Sequence, residues 1–152
     1  MKKRKKKWDQ YKQGKYRPVN QDKYKGTYPI FYRSSWELKL FVWLDRNPSC
    51  ISWGSESTII RYVFNGSVHR YFLDATAVMK NKEGVKKYYI EIKPYRQTIP
   101  PTESKKKKCK TIIYEKIEWA KNQAKWKRAR EFAKSRNAKF VILTEKDLFR
   151  DK

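Results

Sequence analysis

The 152-residue chain sets 39 Lys and Arg against 15 Asp and Glu, a formal charge of +24, yet 39% of it is hydrophobic and 16% aromatic. So many large rings can build a core, which argues against a disordered polyelectrolyte, while the unbalanced charge asks for a polyanionic partner, most simply nucleic acid. One histidine, His69, and two distant cysteines, Cys50 and Cys109, argue against zinc and against Ser-His-Asp or Cys-His catalysis, and no apolar run of about 18 residues offers a membrane span.

Residues 1–7 form a basic run read as a flexible arm, and residues 8–30 mix Tyr, Lys, Gly and Pro as an extended, loop-like lead-in. One folded domain is expected over residues 31–152. Ser34 and Glu37 have capping-box spacing, so a first helix is predicted over residues 34–46, with Leu40, Phe41 and Leu44 facing the core and Asn47-Pro48 ending it. Strands follow over residues 59–64 and 68–79, joined by the hairpin signal Asn65-Gly66, and a third over 86–93, closed by Pro94. Residues 95–110 read as a long loop, 113–135 as the longest helix, 140–143 as a short strand and 145–149 as a last helical turn. Helix-strand-strand-strand-helix-strand is an α/β order, with a mixed central sheet flanked by helices.

Side chains two apart on a strand share a face, so Glu91 and Lys93 project together while Ile90 and Ile92 enter the opposite layer. Asp74 falls among Phe72, Leu73, Ala75 and Ala77, where a lone carboxylate must be paired, protonated or bound to a cation. On neighbouring strands Asp74 and Glu91 can converge as ligands of Mg²⁺ or Mn²⁺, which would polarise a phosphodiester oxygen and acidify a bound water. Lys93 can orient or help deprotonate that water, or stabilise the developing charge. Plainer readings stand beside these: Glu91 and Lys93 as an exposed edge-strand ion pair, Asp74 as a partner of Arg70, Glu56 as a loop charge. Glu37 is explained by capping, yet it also lies on the core stripe, and the two roles can coexist.

Trp119, Trp126, Ala129 and Ala133 share a face of the long helix and read as core. Its basic residues, Lys125 and Arg128 among them, are expected to face DNA in part. Arg33, Tyr95, Arg96 and Gln97 flank the acidic positions, and Lys105, Lys106, Lys107 and Lys108 suit phosphate contacts of any sequence. Trp8, Tyr11 and Tyr16 either stack on unpaired bases or pack onto the core. His69 reads as structural or as a contact near Asp74.

The order of elements, with Glu37, Asp74 and Glu91-Ile92-Lys93, resembles the PD-(D/E)XK nuclease superfamily and its restriction-endonuclease-like core. Leu73 stands where that family's proline is expected. Tyr32-Arg33-Ser34-Ser35-Trp36-Glu37, His69-Arg70-Tyr71-Phe72 before Asp74, and Glu91-Ile92-Lys93-Pro94-Tyr95 resemble the head-completion nucleases of T-even-like tailed phages, and more distantly TnsA-like endonucleases. The resemblance implies metal ligation by Asp74 and Glu91, assistance by Glu37 and catalysis by Lys93. It further implies an Mg²⁺-dependent (or Mn²⁺-dependent) endodeoxyribonuclease selective for DNA structure, branched or flap-containing, acting after packaging. Phage head or portal components would be its partners, the host cytoplasm or the virion its location, and monomer or homodimer its state. The alternative is a non-catalytic basic nucleic-acid-binding or structural virion protein.

Overall fold

The computed structural model describes residues 13–150; the basic arm, with Trp8 and Tyr11, lies outside them. The expected order of helices and strands is present, but its members differ. Helix α1, Ser35–Arg46, starts where the Ser34 hydroxyl accepts the Glu37 N–H at 3.1 Å. It stops where Asn47, preceding a proline, turns extended. The first strand of the central sheet is then β3, Cys50–Ser55, a stretch without strand periodicity, rather than residues 59–64.

The expected strand over residues 68–79 is two strands. The hairpin of β4, Ile59–Phe64, and β5, Ser67–Phe72, stands apart as a two-stranded ribbon, whereas β6, Ala75–Asn81, joins the central sheet. The ribbon turns at Asn65-Gly66, both at positive φ (49° and 74°), the backbone a tight hairpin requires. Its inner face packs Ile60, Tyr62 and Tyr71 against the long helix α2, Cys109–Ser135. Its outer face exposes three cross-strand pairs: Ile59 with Phe72, Arg61 with Arg70, and Val63 with Val68.

Strands β7, Gly84–Ile92, and β8, Lys139–Leu143, complete the central sheet in the order β3-β6-β7-β8. All neighbours are antiparallel except β7 and β8, whose parallel pairing needs the crossover that α2 supplies. Helix α3, Glu145–Leu148, follows a capping box at Thr144. Between α1 and the sheet, Leu40, Phe41 and Leu44 pack on Trp53, Ala75, Ala77 and Ile90. Beneath α2, Trp126, Ala129 and Ala133 cover Leu73, Tyr71 and Tyr89. Each large apolar side chain buried this way contributes about 1.5–3 kcal/mol.

The stretch expected as a loop-like lead-in is built into the domain. Strand β1, Gly14–Tyr16, pairs with β2, Ile30–Tyr32, and Tyr24 is buried edge-on against Trp53 with ring centroids 4.7 Å apart. Asp45 of α1, 0% exposed, fastens this segment. Its carboxylate accepts the Tyr16 hydroxyl at 2.6 Å and the Val19 and Asn20 N–H groups at 2.7 and 3.0 Å. Its carbonyl accepts the Lys23 ammonium at 2.8 Å. Tyr16 therefore packs, within 6.2 Å of Phe41 and 6.0 Å of Trp53 between ring centroids. Among the described residues no helix is long and apolar enough to cross a membrane.

Candidate active site

Asp74 sits in the break between β5 and β6, not inside a strand, and its Oδ2 accepts the Ile92 N–H at 2.7 Å. That bond ties it to the last residue of β7, between Glu91 and Lys93. Neighbouring register brings the acids to the same end of the sheet, since Ala75 pairs with Ile90. Glu91 is buried and turns with Tyr89 toward α2, while Ile90 and Ile92 lie under α1, the alternation expected of a strand. Lys93 Nζ stands 3.7 Å from Glu91 Oε1, with the two side chains 22% and 7% exposed. An exposed ion pair on an edge strand is thereby excluded, because β7 is central and both partners are largely covered.

The electrostatics follow from burial. Desolvation pushes the Asp74 carboxyl well above the usual range, and the charges of Glu91 and Glu37 add to it against the Ile92 amide and Lys93. Glu91 is raised by burial, which Lys93, Tyr71 and Lys125 oppose. Glu37 is raised by burial too, with Glu56 and Glu91 adding and the Arg33 amide opposing. Lys125, half-buried beside the rings of Tyr71 and Tyr62, is lowered by desolvation and then by Lys93. Carboxyls raised together in one place mark like charges gathered without enough compensation, a pattern typical of functional sites.

Only half of the predicted capping box forms at Glu37. Its carboxylate accepts the Arg33 N–H at 2.9 Å instead of reaching Ser34, and lies at the positive end of α1. Glu56, a non-glycine residue at positive φ, pairs with Arg33 at 3.3 Å.

Among the described residues no three His, Cys, Asp or Glu side chains gather as a metal cluster. The Asp74 and Glu91 carboxylates, without thiol or imidazole, still fit Mg²⁺ or Mn²⁺, which take one or two protein carboxylates and keep waters and phosphate oxygens. Two polar groups nearby are left unpaired. The Tyr71 hydroxyl faces Glu91 and the Trp126 indole, but reaches hydrogen-bond geometry to neither, and both groups are buried without a partner.

The expected DNA contacts divide. Lys105, Lys106 and Lys108 are exposed, and Lys108 immediately precedes α2. Lys107 is engaged by Glu115 and by the Thr102 carbonyl, at 2.8 and 3.0 Å. Arg128 is exposed near Glu131, at 3.8 Å. The ring of Tyr95 is covered by the Lys146 ammonium, 3.4 Å from its centroid. Arg96 and Gln97 line a cavity beside α2. His69 stacks on Tyr62 in the ribbon, ring centroids 5.4 Å apart, and so serves local packing. Trp119 does not join the core with Trp126, Ala129 and Ala133; it lines the same cavity as Arg96. Tyr71, whose hydroxyl lies beside Glu91, entered the sequence reading only within a motif and without a role, and Asn122, buried on α2 at the cavity, escaped it. Asn122 had a legible signal, a polar residue four positions before Trp126 on the core stripe.

A mixed sheet between helices, with acids meeting at the ends of adjacent strands and Glu-x-Lys on the central one, is the restriction-endonuclease-like arrangement. The chain belongs to the TnsA-like endonuclease family, whose N-terminal domain model matches residues 47–145 and so spans all four central strands. It is also 44% identical over 144 residues, covering 89% of this chain and 92% of the relative, to the head completion nuclease of Enterobacteria phage T4. No solved structure matches.

Proposed function

We propose that this chain is a divalent-metal-dependent DNA endonuclease acting in phage head completion, after packaging. The observation that carries the reading is buried Glu91 beside half-buried Asp74, both with raised pKa, joined through the Ile92 amide and flanked by Lys93. The name of the T4 relative supports both the chemistry and the setting.

Asp74 and Glu91 would hold Mg²⁺ or Mn²⁺, which supplies Lewis acidity toward a phosphoryl oxygen and acidifies a bound water. The chain's own groups do the rest. Lys93, steadied by Glu91, offers its ammonium to the negative charge that builds on the phosphoryl oxygens, in a site dry enough to make that interaction strong. Glu37 adds negative potential that favours a cation over the metal-free state. Arg96 and Gln97 follow Lys93 closely along the chain, and the exposed lysines of residues 105–108 offer further phosphate contacts before α2. The ribbon's outer face, bearing Arg61 and Arg70, leads straight into Asp74, and a two-stranded ribbon fits a DNA groove. Branched or flap DNA is the substrate class of this reading, head or portal components its partners, and the host cytoplasm or the virion its place of action.

The test compares wild type with Asp74→Ala, Glu91→Ala and Lys93→Ala on labelled linear, branched and flap DNA, with Mg²⁺, Mn²⁺ or EDTA, recording binding beside cleavage. Cleavage is expected to need the cation and to fall about 10³-fold in each variant while binding persists. A wild type that binds every substrate and cuts none with either metal overturns the enzyme reading in favour of a basic structural binder.

A further inference from the structure

A cavity of about 560 Å³ opens between the segment after β7 and the N-terminal half of α2. That volume lies within the range of sites for small organic groups. The cavity is a built feature: Lys107 bridges the Thr102 carbonyl and Glu115 of α2, and Lys116 of α2 pairs with Glu103. Among its lining residues is Asn122, only 5% exposed, whose carboxamide makes no hydrogen bond among the described residues. Its polar atoms are not among those sealed off without a partner, so the carboxamide opens onto the cavity, unengaged by the protein and free to bond a group that enters.

The lining says what that partner is. Arg96 and Lys107 are balanced by Glu115 and Glu118, so this wall is formally neutral in a chain of net charge +24. A phosphate has better places to go; a neutral group does not. Trp119 and Tyr114 present aromatic surface to the cavity, and Pro100 and Pro101 add apolar wall. A carboxamide supplies an acceptor and two donors, the complement of a base edge. Along the chain the cavity adjoins the chemistry: Arg96 is three residues beyond Lys93, and Asn122 is three residues before Lys125, whose ammonium feels the charges of Lys93 and Glu91.

We infer that this cavity is a subsite for one unpaired nucleobase of the DNA substrate, hydrogen-bonded by Asn122 and stacked on Trp119, beside the scissile phosphodiester. The inference rests on the endonuclease reading and deepens it by naming what gives selectivity for DNA structure. A base already out of the stack enters without the cost of unpairing, so junctions, flaps and frayed ends are favoured over continuous duplex.

The experiment uses the full chain, two duplexes differing by one unpaired 2-aminopurine, and the variants Asn122→Leu and Trp119→Ala, with melting curves to establish folding. In EDTA, stacking on Trp119 is expected to quench the 2-aminopurine fluorescence, and Trp119→Ala to abolish the quenching. With Mg²⁺, wild type is expected to cut the duplex carrying the unpaired base about ten- to a hundredfold faster in kcat/KM, the range of one base–aromatic stack. Both variants should bring the two substrates within about twofold, with cutting of the paired duplex unchanged. A preference that survives both substitutions, or no preference in wild type, overturns the subsite while leaving the nuclease intact. If nothing is cut, the endonuclease reading fails first, and absent quenching in EDTA then removes the subsite as well.

Discussion

Replacing Asp45 with alanine removes the acceptor shared by the Tyr16 hydroxyl and the Val19 and Asn20 amides. Hydrogen bonds to a charged group contribute about 1.5–3 kcal/mol each, so three would amount to about 4.5–9 kcal/mol if the donors stayed buried. They need not stay buried, because Val19 and Asn20 are themselves exposed and their segment can swing toward water. The cost is then capped by detaching that segment, chiefly buried Tyr24 and half-buried Tyr16, at about 1.5–3 kcal/mol per side chain. A loss of about 3–5 kcal/mol is expected, a large share of the roughly 5–15 kcal/mol that holds a domain folded. Burial alone would raise the Asp45 carboxyl, but Tyr16, the two amides and Lys23 outweigh it and hold it below the usual range. A depressed folded pKa stabilises above the unfolded value of about 4, and that stability is lost as pH falls through the folded value. Urea unfolding followed by circular dichroism, near neutrality and in acid, reads both effects. A loss under about 1 kcal/mol near neutrality, or a gap to wild type that does not narrow in acid, refutes the reasoning.

Asp74 works with the opposite sign. Its raised folded pKa stabilises the metal-free protein below the unfolded value of about 4, and this is lost as pH rises through the folded value. Asp74→Asn should therefore raise the melting temperature of the metal-free protein in mild alkali by a few degrees and cancel the further rise that Mg²⁺ gives wild type. Scanning fluorimetry with and without EDTA checks this, and a destabilised variant would contradict it. On the ribbon, Arg61→Ala combined with Arg70→Ala should make the slope of log K against log salt shallower by about 1.8 for duplex DNA. Fluorescence anisotropy across a salt series reads that slope, and an unchanged value would turn the ribbon face away from DNA.

The site was more legible than the sheet that carries it. Glu91 and Lys93 could be placed because strand alternation is local, and Ile90 and Ile92 on the opposite face confirm the phase. Helix α1 could be placed because Ser34 and Asn47-Pro48 act on their own neighbours. What escaped depends on distant pairing. Strand β3, rich in Ser, Gly and Trp, exists because β6 offers it a partner more than twenty residues on. Strands β1 and β2 are held together by Tyr24, Asp45 and each other, contacts that no window of sequence contains. The run over residues 68–79 is unbroken by Gly or Pro, so nothing in its composition but the lone Asp74 hints that its halves join different sheets. Glu37 illustrates a finer limit: spacing identified the cap, but the carboxylate took the Arg33 amide one residue earlier.

Asp74 belongs to neither sheet. On one side it is continuous with the ribbon, on the other with β6, and it is braced by the Leu73 N–H on the Thr58 carbonyl and by its own carbonyl on the Glu56 N–H. A carboxylate mounted there takes its position from both sheets at once: the ribbon, packed on α2, fixes it from one side and the Ile92 amide of the central sheet from the other. A substitution that loosens either sheet therefore displaces the same carboxylate.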